Sequence, residues 1–208
     1  MEFTDKQKHI LDIAERLIAD NGFDGTSIRD IAKEASINIA MISYYFGSKE
    51  KLLEALFEMR GKEVTLKLEN LMQNDKLSSL EKMNVVIDAY IEKITNQQCF
   101  HRIMMRQQAM ENSFISDKIF ETKRRNHALI QQLIKHGQKQ GDFKKNIDLQ
   151  LVMVTLFGTV NHMITSKNFY RKLNNFEDMP DEEFEKHIRK KLSQHLKSLF
   201  KALLTNED

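Results

Sequence analysis

Residues 26–53 read TSIRDIAKEASINIAMISYYFGSKEKLL, and the spacing of their apolar side chains decides the fold. Ile28, Ile31, Ala32 and Ala35 recur at the interval of a helix turn, which commits one face of a short helix to a core and leaves the other free. Thr26 or Ser27 is placed to cap its start, and Arg29 then faces outward from the first turn, where a helix N-terminus suits phosphate. Ala35-Ser36-Ile37 supplies a turn, and Asn38 is a good cap for a second helix whose inward residues are Ile42 and Phe46. Ile39, Ala40, Met41, Ser43 and Tyr44 on that second helix have no evident internal partner. Two short helices joined by a tight turn fit a DNA major groove, so these spare residues are candidates for reading it. One of Tyr44 and Tyr45 is expected to pack and the other to donate to phosphate, and the sequence leaves open which.

The reading extends outward in both directions. Thr4 with Gln7 makes a capping box, after which Ile10, Ile13, Ala14, Leu17 and Ile18 repeat at helical spacing until Asn21-Gly22 ends the run. A long helix starts with Ser48 as its cap and runs to about Met72, and Gly61 within it reads either as a soft point or as a tolerated glycine. Polar stretches at residues 74–76, 96–98, 111–113, 140–145 and 173–180 divide the remainder into further helices, about nine in all. One proline and seven glycines in 208 residues, against thirteen phenylalanines and eleven methionines, argue for long helices and an all-α fold.

Composition excludes several classes. A single cysteine, Cys99, rules out an internal disulfide framework, and the histidines are scattered rather than clustered, so no metal and no cofactor is expected. There is no phosphate-cradling glycine loop, nucleophile elbow or paired cysteine motif, so the chain is not expected to be an enzyme. Without a basic-then-apolar leader or a long apolar run, it is expected to be cytoplasmic, with no membrane partner. The net charge is only +2, and residues 1–52 carry seven Lys/Arg against nine Asp/Glu, so DNA affinity would rest on a few placed contacts with a modest salt dependence. Arg29 and Lys49, with Lys6 or Lys8, are the basic candidates. Lys123 to Arg125 reads as a solvated face.

The pattern Ile31-Ala32, Ala35 to Asn38, Tyr45-Phe46 and Ser48-Lys49-Glu50 before Leu52 resembles the N-terminal DNA-binding domain of TetR-type repressors over residues 4–56. Members usually have glycine where Ser36 stands, a turn position whose positive φ costs serine more. They usually have a glycine or other small residue where Ala40 stands and tyrosine where Ser43 stands, so contacts at those two are not carried over unchanged, and Tyr44 or Tyr45 is the candidate for the missing phenol. The resemblance implies a helix-turn-helix domain over residues 1–47 and an effector-binding and dimerisation domain over residues 48–208. It implies Ser27, Arg29, Asn38, Ile39, Ala40, Ser43, Tyr44, Tyr45 and Lys49 as the DNA-facing set.

Residues 148–165, DLQLVMVTLFGTVNHMIT, are apolar around most of a helix, which a lone subunit would not easily cover. The last helix carries Phe184, Ile188, Leu192, Leu196, Leu199 and Leu203 as one stripe. Two such terminal helices resemble the pair that meets its symmetry mate in TetR-type proteins, giving Phe157, Gly158, His162, Ile188, Leu192, Leu196 and Leu199 as the expected homodimer interface. For an unknown small-molecule effector, Met104, Gln107, Asn126, His127 and Asn161 are the candidate polar and adaptable lining. The expected protein is a repressor that binds a palindromic operator as a dimer and is released by its effector. The alternative is a helical interaction scaffold that binds no specific DNA.

Overall fold

The computed structural model describes residues 3–109 and 117–206. Among them are ten helices: α1 (Asp5–Asn21), α2 (Ile28–Glu34), α3 (Ile39–Phe46), α4 (Lys49–Met72), α5 (Ser79–Asn96), α6 (Gln98–Ala109), α7 (Asp117–Gln140), α8 (Leu149–Thr165), α9 (Lys167–Leu173) and α10 (Asp181–Leu204). The expected loop at residues 111–113 lies outside the described residues.

Local chemistry sets most boundaries. The Thr4–Gln7 capping box opens α1, and Gly22, in the left-handed region at φ 82°, closes it. Ser48 accepts the Lys51 N–H at 3.2 Å at the start of α4. The tenth helix arises from a break that the apolar pattern does not announce. Thr165 Oγ1 donates to the Asn161 carbonyl at 2.9 Å and Ser166 Oγ to that of His162 at 2.6 Å, which ends α8 and turns the chain by 68° into α9. Among the described residues no single helix is long and apolar enough to cross a membrane.

The chain divides into two compact units, each with its own core. The first comprises residues 1–67 and 97–127, so it runs past the 47/48 boundary drawn from the sequence. Ile10, Leu11, Ile18, Ile31, Ile42, Leu52, Leu53 and Leu56 fill its centre, and Phe100 and Ile103 of α6 join the same cluster. Arg60 on α4 ties down the buried carboxylate of Glu15 on α1 at 2.8 Å and reaches Asp12 at 3.0 Å. Burial pushes the Glu15 carboxyl above its usual range, and the Arg60 charge pulls part of that back. Gly61 is a point of close approach rather than a soft point. A Cβ there would stand 2.8 Å from Thr122 Cγ2, and one turn on, Thr65 donates to the Asn126 side-chain oxygen at 2.6 Å.

The second unit comprises residues 68–96 and 128–208. There the stripe of α10 packs on α5 and α8, with Phe184, Ile188, Leu192, Leu196, Phe200 and Leu204 all buried. This corrects the expected interface. Ile188, Leu192 and Leu196 are core residues of a single subunit, packed in with Phe200 and Leu204, whereas Leu199 and Leu203 of the expected stripe are half-buried and exposed.

Candidate nucleic-acid interface

Each helix of the pair at residues 28–46 is started by a side chain. Ser27 accepts the Asp30 N–H at 3.1 Å while the Asp30 carboxylate accepts the Ser27 N–H at 2.9 Å and its hydroxyl at 2.6 Å, a reciprocal box that fixes α2. These bonds hold the exposed Asp30 carboxyl below its usual range. Of the two residues offered as caps, the structure uses Ser27. Thr26 is buried, and its hydroxyl instead closes the end of α1 by donating to the Gly22 carbonyl at 2.8 Å. The turn is completed by Ser36 at φ 53°, the left-handed conformation that glycine adopts without strain. Asn38 Oδ1 then accepts the Ala40 N–H at 2.8 Å and starts α3.

With Ile42 and Phe46 buried, the opposite face of α3 is left to solvent. Tyr44 is 83% exposed and Ile39 42%, and Asn38, Ala40 and Ser43 lie exposed beside them. Among the described residues neither the Ser43 hydroxyl nor the Tyr44 phenol makes a side-chain hydrogen bond. Tyr45 separates from its neighbour: it leans partly buried against the core of the unit, edge-on to Tyr44 at 5.3 Å and to Phe46 at 6.3 Å. Ser27 and Arg29 are exposed at the start of α2, so a hydroxyl, a guanidinium and the α3 face share one helix pair.

Lys49 stands differently. Its ammonium donates to the carbonyls of Phe23 at 2.9 Å and Thr26 at 3.1 Å, and lies 4.2 Å from the centre of the Phe23 ring. A sequence reading misses these partners because they lie more than twenty residues away along the chain.

The residues offered for an effector are divided between the two units. Met104 and Gln107 on α6, with Asn126 and His127 on α7, belong to the first unit, where Asn126 is engaged with Thr65. Asn161 belongs to the second, where its side-chain oxygen accepts the Tyr90 hydroxyl at 3.3 Å. Burial pushes the Tyr90 phenol far above its ordinary range, and the bond to Asn161 only partly offsets this. Tyr90 was not singled out from sequence, although a tyrosine within the apolar pattern of α5 was the available signal. On α8, Phe157, Gly158 and His162 are exposed beside Leu151 (64%) and Val154 (63%), which the sequence reading left out, and the Phe157 ring lies 4.8 Å from that of Tyr90. Leu199 is half-buried. Among the described residues no group of His, Cys, Asp and Glu is arranged to hold a metal ion.

Comparison with known proteins gives two family matches. Residues 10–56 match the model of bacterial regulatory proteins of the tetR family, and residues 76–165 match the tetracyclin repressor-like C-terminal domain. Among curated relatives, the fatty acid metabolism regulator protein of Bacillus subtilis is 24% identical over 161 residues, covering 77% of this chain and 82% of the relative. The probable HTH-type transcriptional regulator YttP of the same organism is 29% identical over 145 residues, 69% of each chain. Among solved structures, FadR from Bacillus halodurans superposes with a TM-score of 0.74 at 22% identity, covering 95% of this chain and 97% of that one. FadR from Bacillus subtilis in complex with stearoyl-CoA gives a TM-score of 0.70 at 21% identity, with coverage of 92% and 97%.

Proposed function

Because the chain belongs to the tetR family of bacterial regulatory proteins, as a DNA-binding transcriptional regulator, we propose that it represses by seating a homodimer on a near-palindromic operator and leaves when an effector binds. The two copies of α3 enter successive major grooves, about 34 to 36 Å apart. Ile39, Ala40, Ser43 and Tyr44 face base edges, Ser27, Arg29 and Asn38 flank the phosphates, and Tyr45 packs behind them. The observation that carries this reading is the α3 face, where Ile39, Ala40, the Ser43 hydroxyl and the Tyr44 phenol stand exposed on a helix whose other face is locked into a core. That face combines a hydroxyl and a phenol for base edges with an isoleucine and an alanine suited to thymine methyls.

The functional division follows residues 1–47 for DNA and residues 48–208 for effector and partner. The second copy docks on the outer face of α8, through Leu151, Val154, Phe157, Gly158 and His162, with Leu199 at its margin. Gly158 has open space around the position of a Cβ, so a partner backbone can come close. A long-chain acyl thioester is the effector to test first, since relatives of this chain are named for fatty acid metabolism and one was solved with stearoyl-CoA. The protein acts in the cytoplasm, where its operator is, and turns over no substrate.

Selection of duplexes from a random pool by the purified full chain, followed by footprinting with and without stearoyl-CoA, tests the reading. Enrichment of an inverted repeat, protected on one face and released by the acyl thioester, is expected. A pool that gains no motif overturns DNA reading in favour of a scaffold. A motif that is indifferent to stearoyl-CoA overturns only the effector class.

A further inference from the structure

The loop between α1 and α2 is held by an unusual concentration of bonds. Thr26, 1% exposed, donates its hydroxyl to the Gly22 carbonyl and its N–H to the Phe23 carbonyl at 3.2 Å, folding residues 22–26 back on themselves. A Cβ on Gly25 would stand 2.4 Å from the Asn21 carbonyl oxygen, so no side chain fits in the bend. The fold leaves the Phe23 and Thr26 carbonyls converging on one point beside the Phe23 ring. That point is filled by the Lys49 ammonium, which satisfies both oxygens and sits over the face of the ring.

We propose that Lys49 is a positioning residue for DNA recognition: it acts through the Phe23–Thr26 loop and not by touching phosphate. Thr26 immediately precedes Ser27, the cap of α2, so a bond to the Thr26 carbonyl fixes where α2 begins and where Ser27 and Arg29 point. Lys49 is also the first residue of α4. One ammonium therefore registers the start of α2 against the start of α4, with α3 between them in the chain. An ammonium has three N–H groups, and two are engaged here: its loss removes a charged donor from each carbonyl, leaving the Phe23 oxygen with the Thr26 N–H. A lysine serving as a phosphate contact would instead keep its head in water.

This inference rests on the DNA-binding reading, and the experiment keeps the two apart. The full-length wild type, Lys49→Met, Phe23→Leu and the double variant are titrated onto the selected duplex and an unrelated one across a range of salt, with each melting temperature recorded first. Methionine keeps a flexible stem and removes the charge; leucine keeps most of the bulk and removes the ring. Lys49→Met is expected to bind the selected duplex roughly tenfold more weakly, the size of a lost charge-assisted hydrogen bond. Its salt slope is expected to match the wild type, and its effect to shrink in the Phe23→Leu background, the coupling expected of residues in contact. Amide exchange in residues 23–27 of the free protein is expected to accelerate. A slope that drops by about one, with effects that add across the two sites, marks a phosphate contact and overturns the proposal. Unchanged affinity in a folded Lys49→Met overturns it as well. A wild type that binds neither duplex overturns the DNA reading itself, and the positioning role with it.

Discussion

The outer faces of α3 and α8 both present more apolar surface than a helix facing only water needs, yet they are made of different chemistry. On α3, Ile39 and Tyr44 alternate with Asn38, Ala40 and Ser43, so every apolar patch has a hydrogen-bonding group beside it. On α8, Leu151, Val154 and Phe157 form a nearly unbroken hydrocarbon row, with Gly158 opening space among them. The first pattern suits base edges, which offer donors, acceptors and methyl groups together; the second suits another protein surface. Exposure alone marks both as unfinished surfaces, and composition says what would finish each.

The largest effect is expected in α10, the helix that sequence would have placed beside α8 in the interface. Leu192→Glu with Leu196→Glu puts two charges among residues that are 2% and 0% exposed, at a cost of more than about 4 kcal/mol. Circular dichroism should show loss of the cooperative unfolding transition, whereas a folded, monodisperse monomer would return these leucines to the interface. The next largest effect is expected from Leu151→Glu with Val154→Glu, at 64% and 63% exposed positions. This variant should melt like the wild type, sediment as a monomer, and lose on the order of a hundredfold in affinity for a two-half-site duplex as the linkage between reading heads disappears.

Smaller changes sharpen the α3 side. Tyr44→Ala should cost about 1 to 3 kcal/mol on the preferred duplex and little on unrelated DNA, as measured by competition binding. Arg29→Ala should weaken both alike and lower the salt slope by about one. The mildest perturbation is acid. The Asp30 carboxyl is held below its ordinary range by Ser27, so it stabilises the fold above its unfolded value, and that contribution is lost as pH falls through the folded one. Glu15, held high by burial, has the opposite sign: its contribution is complete below the unfolded value and fades as pH rises past the folded one. Amide protection in α2, taken as the intrinsic exchange rate at each pH divided by the observed one, should therefore fall toward acid in the wild type and stay flat in Asp30→Asn.

How much of this was readable without coordinates depends on how far apart the interacting groups are. The Thr4–Gln7 box, the Ser27 cap and the Asn38 cap are contacts within three residues, and their spacing is written in the chain. The α10 stripe was visible too, but periodicity says only that a face is covered, not whether α5 or a second copy covers it. The break at Ser166 was hidden because serine and threonine are tolerated inside helices until their hydroxyls bond back to carbonyls. Lys49 with Phe23 and Thr26, Tyr90 with Asn161, and Arg60 with Glu15 join residues tens of positions apart. No local pattern encodes such pairs.

Ser36 carries a consequence for how this surface can change over time. A serine held at φ 53° keeps the turn at a cost of about 1 kcal/mol or more that glycine would largely avoid. The helix pair therefore holds a reserve: one substitution in the bend, outside the proposed base-facing set, would offset losses that new side chains on α3 bring with them. A lineage, or an engineer, wishing to retarget the operator has somewhere to draw stability from before the first contact is altered.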